Sequence, residues 1–451
     1  MIPISFLLLL LLLLLPLPIC AFLATPTSQA QEYLKLRLLR KTPLPSARQA
    51  LALDSLRLSS SSSTTTSSSV PVVSGASSGA GQYFVDFRIG TPPQRIRLVA
   101  DTGSDLVWAR CSPCRGPSCS SRHPPGSAFL PRLSSSFAPF HCYDPSCRLV
   151  PHPRHSPRCP RSRIHSPCRF RYSYSDRSSA TGFFSRETAT LNASSGRPAR
   201  LPALPLGCAF NVSTGPSFGA ARGVLGLGRG PISFPSHAAP RFGAAFSYCL
   251  PDYTLSPPPT SYLLVGAAPR HRHQNLSFTP LLSNPLSPTF YYIRILSASV
   301  DATLLPIDPS VWALDPTSGA GGTVIDSGTT LSFLPAPAYV QILRAMTSRL
   351  PRAAIAGGPP GFDLCVNASG GGVRLPRLGF RLLGGAELAP PPENYFIDTA
   401  EGVRCLGLQP VSRTGPGFGV IGNLMQQGFL FVFDLDRATS RLGFSRTGCI
   451  D

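Results

Sequence analysis

The sequence predicts an all-β protein of two related lobes with a cleft between them. The first observation is a repeat. VADTGSDLVW at 99–108, an apolar run ending in an aspartate, a small hydroxyl residue and a glycine, returns as TVIDSGTTLSFL at 323–334. A lone Asp-Thr-Gly is ordinary turn chemistry. Two copies, each with an apolar-apolar-glycine element downstream (GVLGLG at 223–228, GVIGN at 419–423), define an approximate internal repeat. The second is composition: 50 prolines and 40 glycines in 451 residues favour short strands and many turns over long helices. The third is texture, since apolar and polar residues alternate from residue 81 onward at the period of a half-buried strand.

In chain order, residues 1–30 are an apolar run broken by Pro16 and Pro18 and ending in small residues, which reads as a secretory signal peptide cut after Ala21 or Ala30. Residues 31–80 read as a basic, helix-prone propeptide followed by a Ser-rich linker, removed on maturation. GASSG at 75–79 matches a serine-hydrolase pattern, but no helix follows it, so it carries no nucleophile. Residues 81–280 form the N-terminal β-lobe. There GQYFVDFRIGTPPQRIRLVADTGSDLVW reads as strand, turn, strand and the Asp101 loop, with further strands at FRYSYS, GFFSRETATL and GCAFNVS. Residues 281–451 form the C-terminal β-lobe, from TFYYIRILSASV through the Asp326 loop to FGVIGNLMQQGFLFVFDLDRATSRLGF.

The net charge is +20, from 41 basic and 21 acidic residues, and only Lys35 and Lys41 are lysines. Compositional bias accounts for the arginines more simply than a nucleic-acid partner does, because they are scattered and no nucleic-acid module accompanies them. A polyanionic surface outside the cell fits such a charge. Of 13 cysteines, Cys20 lies in the signal. Cys111, Cys114, Cys119, Cys142, Cys147, Cys159, Cys168, Cys208, Cys249, Cys365, Cys405 and Cys449 remain, an even set suited to disulfides in an oxidising compartment. A C-x-x-C at 111–114 and His123, His141, His152, His155 and His165 raise the thought of zinc, but their spacing fits no metal pattern, and no metal is expected. Asn192, Asn211, Asn275 and Asn367 each begin an N-x-Ser sequon. No hydrophobic tail follows Cys449, so no stable membrane anchor is expected.

Two carboxylates on equivalent loops that meet across a cleft cannot both ionise cheaply, so the pair holds one proton in mild acid. One member then activates a water while the protonated one polarises a carbonyl, which is amide hydrolysis without a covalent intermediate. Gly103 and Gly328 let backbone amides approach the carboxylates. The hydroxyls of Thr102, Ser104, Ser327 and Thr329 are expected to hold them by hydrogen bonds.

On these residues the chain, from about residue 81 to its end, resembles the pepsin-type aspartic proteases, and specifically their nepenthesin-like plant branch. The motifs are DTGSDLVW, DSGTT, RGVLGLGRG, GVIGNLMQQ and the cysteine-dense insertion after the first aspartate. The resemblance implies a bilobal pepsin-like fold with Asp101 and Asp326 as the catalytic dyad. It implies a flap at YSYSDRSSATG (172–182), with Tyr174 and Asp176 closing over substrate and Trp108 as hydrogen-bond partner of Tyr174. Ser175 and Arg177 depart from the glycines that usually flank the flap aspartate; they imply a stiffer flap, and Arg177 a taste for acidic side chains. A Cys365–Cys405 bridge would belong to the C-terminal lobe.

The reading is thus a secreted zymogen of an acid endopeptidase, a monomer without cofactor that binds proteins or peptides as an extended strand. Its leader would be held by cations against acidic groups at the cleft, and its site would be the apoplast or cell wall, with vacuole or plastid as alternatives. The rival from another class is a non-catalytic pepsin-fold binding protein, similar to the xylanase-inhibitor proteins and seed globulins.

Overall fold

Period-two alternation decides how the strands use their two faces. In β2 (Tyr83–Ile89), Tyr83, Val85, Phe87 and Ile89 enter the main core, while Phe84 points to a second cluster with Val99, Trp108, Phe170 and Tyr172. Each large apolar side chain so buried contributes about 1.5–3 kcal/mol. The structure, a computed structural model, describes residues 32–40, 50–51, 54, 83–113, 127–152, 159, 165–173, 179–213, 222–252, 260–266, 275–369, 372–411 and 417–447. All of these fall in one unit.

The remaining elements that matter here are β1 (Leu34–Arg40), β3 (Gln94–Asp101), β4 (Trp108–Arg110), β5 (Arg169–Ser173), β6 (Ser179–Asn192), β7 (Pro198–Ser213) and β8 (Gly223–Gly226). After helix α1 (Phe234–Phe242) come β9 (Ala245–Cys249), β10 (Ser261–Val265), β11 (Tyr292–Ile293), β12 (Thr323–Ile325) and β13 (Ser332–Leu334). Then follow α2 (Ala336–Arg349), β14 (Gly419–Ile421), the short α3 (Asn423–Gln426), β15 (Leu430–Asp434) and β16 (Arg441–Ser445).

One fourteen-stranded sheet runs through the molecule, and its middle reads β16, β15, β9, β10, β1, β2, β3, β8, β4, β7, β6. The last two strands of the chain therefore join the sheet of the N-terminal half. The boundary near residue 280 divides the sequence but not this sheet. The internal repeat is visible in the strand crossings. β3 pairs parallel with β8, setting Asp101 opposite Gly226, and β4 pairs antiparallel with β8. In the second half β12 pairs parallel with β14, setting Ile325 opposite Ile421, and β13 pairs antiparallel with β14. Each aspartate thus leaves a strand end held by the same three-strand arrangement.

The segment expected to be a leader differs from its sequence reading. Residues 34–40 form a strand rather than a helix, inserted antiparallel between β10 and β2 with Leu34, Leu36 and Leu38 buried. Helix propensity is worth only tenths of a kcal/mol per residue, and two flanking strand edges with a period-two leucine stripe outweigh it.

Disulfides join Cys111 to Cys208, Cys142 to Cys159, Cys147 to Cys168 and Cys365 to Cys405, the last across directly opposed strand residues. Cys249 is also disulfide-bonded, while Cys114, Cys119 and Cys449 lie outside the described residues. Cys147, His152 and Cys168 come within 4.8 Å of one another, but the two sulfurs are bonded to each other and offer no thiolates to a metal. Among the described residues no helix is long and apolar enough to cross a membrane.

Candidate active site

Asp101 ends β3 and Asp326 follows β12, and both are buried. Their donors match position for position. Gly103 N–H donates to Asp101 Oδ1 at 3.1 Å, and Gly328 N–H to Asp326 Oδ1 at 2.9 Å. The Ser104 hydroxyl donates to Asp101 Oδ2, and the Thr329 hydroxyl to Asp326 Oδ2. Such bonds fix each carboxylate in one orientation. Each glycine brings a backbone amide to its carboxylate.

Thr102 and Ser327 join the two turns. Their hydroxyls bond each other's loops and tie the halves together. Ser327 N–H donates to Thr102 Oγ1 at 2.9 Å and Thr102 N–H to Ser327 Oγ at 3.1 Å. Because residues 102 and 327 stand next to the aspartates, these bonds bring the two acid-bearing turns face to face.

The turns are backed by groups the sequence reading did not single out. Asn423 supports the second turn, its Nδ2 donating to Ser327 O at 3.0 Å and its backbone N–H to Thr329 O at 2.7 Å. Asp105 supports the first, accepting from Gly230 N–H at 2.8 Å and from the Thr289 hydroxyl at 2.7 Å. A signal for Asp105 was present: the two copies read DTGSDL and DSGTTL, so an acid stands where the repeat has Thr330.

Trp108 is buried in the second cluster with Phe170 and Tyr172. Burial above all, and then the charges of Asp105 and Asp101, push the Tyr172 hydroxyl far above its ordinary range, and the Leu106 backbone hydrogen-bonds it. It is a neutral phenol beside the first turn. Strands β5 and β6, on either side of the expected flap, pair from Arg169 opposite Phe183 to Ser173 opposite Ser179. Tyr174, Ser175, Asp176 and Arg177, and with them the Tyr174–Trp108 bond, lie outside the described residues. The four sequon asparagines, Asn192, Asn211, Asn275 and Asn367, are all exposed.

The leader reaches this region too. Residues 50, 51 and 54 are helical and buried, and Asp54 Oδ2 accepts from Leu331 N–H at 2.7 Å, five residues beyond Asp326. Leu51 joins the cluster of Phe290, Leu331, Phe362, Ile397 and Leu424. The described leader residue that bonds the 326–334 segment is thus an acid, not one of the cations expected there.

Two lobes of β-sheet with a carboxylate at each of two equivalent turns define a pepsin-fold protein. A xylanase inhibitor N-terminal model matches residues 83–267 and a xylanase inhibitor C-terminal model residues 290–446. Aspartyl protease family protein 2 of Arabidopsis thaliana is 39% identical over 383 residues, 84% of this chain and 73% of that protein. Aspartic proteinase nepenthesin-1 of Nepenthes gracilis is 34% identical over 380 residues, 84% of this chain and 80% of that protein. Among solved structures, the basic 7S globulin from soybean superposes with a TM-score of 0.65 at 20% identity, covering 94% of this chain and 99% of that one, which shows the shared fold. The chain belongs to the pepsin-type aspartic protease family, in its nepenthesin-like plant branch.

Proposed function

We propose that the protein is an aspartic endopeptidase that cleaves peptide bonds in acid solution and is made as a secreted proform. The observation that carries this reading is the matched set of donors on Asp101 and Asp326, joined by the Thr102–Ser327 exchange. With one proton on the pair, the ionised carboxyl takes a proton from water as the oxygen attacks the scissile carbonyl carbon, and the protonated carboxyl donates to the carbonyl oxygen. The tetrahedral diol then collapses. Its C–N bond breaks, the nitrogen takes a proton from one carboxyl, and a hydroxyl of the diol returns one to the other. The products are a carboxylic acid and an amine, and the pair again holds one proton.

The leader fits a proform, because Leu51 and Asp54 engage the C-terminal lobe beside the Asp326 turn. The exposed sequons suit glycosylation on a secretory route to the apoplast or cell wall. Substrate would lie as an extended strand beneath the flap that the family resemblance implies for residues 172–182.

The test is to acidify the expressed proform and follow cleavage of a denatured protein with and without pepstatin, beside Asp101→Asn. Cleavage that pepstatin blocks and the variant lacks supports the reading. A second reading is a non-catalytic binding protein, which the match to xylanase inhibitor models and the likeness to a seed globulin favour. Absence of cleavage by folded, leader-free protein would select it.

A further inference from the structure

Asp105 closes the turn that Asp101 opens, and the hydrolytic chemistry has no use for it. Its side chain is buried, and among the described residues its hydrogen-bond donors are Gly230 N–H and the Thr289 hydroxyl; no cation pairs with it. Each partner leads back to the candidate dyad. Gly230 belongs to the strap after β8, whose Leu227 N–H donates to Asp101 O and whose Gly228 N–H donates to Ser104 O, both at 2.8 Å. Thr289 lies just before β11. Tyr291 O accepts from Ile325 N–H at 3.1 Å, and Tyr292 pairs with Val324 in β12, the strand that delivers Asp326. Two glycines of GLGRG make room for this carboxyl: a β-carbon on Gly228 would lie 2.3 Å from Asp105 Oδ1, and one on Gly230 2.1 Å from Oδ2.

We propose that Asp105 is a positioning residue that fastens the Asp101 turn to the strand pair that presents Asp326. The spacing of the two candidate catalytic carboxyls then holds only while Asp105 keeps its proton. The inference rests on the protease reading for its kinetic readout but not for its stability readout.

The surroundings favour the neutral form. The titratable groups that interact with Asp105 are the Tyr172 phenol from β5 and the Tyr291 phenol from the C-terminal half, and Asp101 stands four residues earlier on the same turn. Arg229, the cation of the strap, is turned away: its Nη1 donates to Leu282 O at 2.7 Å and its Nη2 to Ser440 Oγ at 3.1 Å. Burial pushes the Asp105 carboxyl up, against the smaller downward pulls of Thr289 and Gly230. A group raised in the folded state contributes its full stability below the ordinary aspartate value of about 3.9 and loses it as pH rises through the raised value.

Asp105→Asn has the same shape and no proton to lose. Melting temperatures of wild type and variant should be closest in acid, with the variant gaining on wild type as pH rises. The alkaline limb of kcat/KM should move up by about one pH unit, with acid-side kcat/KM within about threefold of wild type. A difference in melting temperature that is constant with pH overturns the neutral acid. A difference that changes while the limb stays put overturns the positioning role and leaves a structural one. If the Asn variant does not fold, Thr289→Val serves. It removes the hydroxyl that favours ionisation and should also move the limb up, whereas Thr289→Ser should leave it at the wild-type position. A limb unmoved in Thr289→Val would refute the proposal. Should wild type prove inactive, the melting curves still report on Asp105, so the two failures are told apart.

Discussion

Thr102 and Ser327 exchange hydrogen bonds across the two halves of the protein, each hydroxyl accepting the other's backbone N–H. Each hydroxyl then donates to the carbonyl that precedes the opposite aspartate, Thr102 to Ile325 O at 3.3 Å and Ser327 to Ala100 O at 3.1 Å. Four buried bonds thus related by the repeat make the position of one acid depend on the other. Thr102→Val removes a hydroxyl and leaves Ser327 N–H and Ile325 O unpaired, at about 1–3 kcal/mol for a buried group. The expected outcome is a loss of about 2 kcal/mol in denaturant unfolding and at least about a tenfold fall in kcat/KM. Ser327→Ala should match it, and the double variant should lose less than the sum, since both act on one network. Additive losses would show that the bonds do not act together.

The hydroxyls of Ser104 and Thr329 each hold one carboxylate oxygen, so their removal frees that carboxyl to leave its orientation. In the proposed hydrolysis both carboxyls must face the same water and carbonyl. Ser104→Ala or Thr329→Val should therefore lower kcat by about tenfold with little change in KM. Steady-state kinetics on the denatured-protein substrate checks this; an unchanged kcat would mean that the glycine amides alone hold the carboxylates.

The two acid turns were legible because their chemistry is local. Asp-Thr-Gly-Ser and Asp-Ser-Gly-Thr place an amide and a hydroxyl two and three residues after the carboxylate, and those are its donors. The roles of Thr102 and Ser327 were not legible, since their partners lie more than two hundred residues away and depend on how the halves face each other. Asn423 and Asp105 escaped because their partners too are distant in the chain, 96 residues from Asn423 to Ser327 and 184 from Asp105 to Thr289. The leader strand was legible in part: Leu34, Leu36 and Leu38 alternate with Lys35 and Arg37, a period of two that the basic, helix-prone composition obscured.

That strand sits between two others, so its leucines carry weight in the folded chain. Leu36→Asp puts a charge without a planned partner into the sheet between β10 and β2. Soluble yield of the proform should collapse, while Arg37→Asp, on an exposed neighbour, should leave yield near wild type. Equal yields from the two variants would mean that the leader strand is dispensable for folding.

On the proform reading, Leu51 would tie latency to the C-terminal disulfide, because Cys365 and Cys405 line the same apolar cluster as Leu51, Phe362 and Ile397. Leu51→Ala deletes a buried leucine side chain worth about 2–5 kcal/mol, and this loss falls on the leader's grip. The proform should then activate faster, and at higher pH, than wild type. Replacing both cysteines by alanine opens a bridge spanning 40 residues, at about 2–4 kcal/mol, and loosens the cluster from the other side. Activation time courses of the two proforms should both shorten, with the combined variant gaining less than the product of the separate rate increases, because each change weakens the same contact. If the cysteine variant loses stability but activates at the wild-type rate, the leader is held elsewhere and the cluster around Leu51 is packing alone.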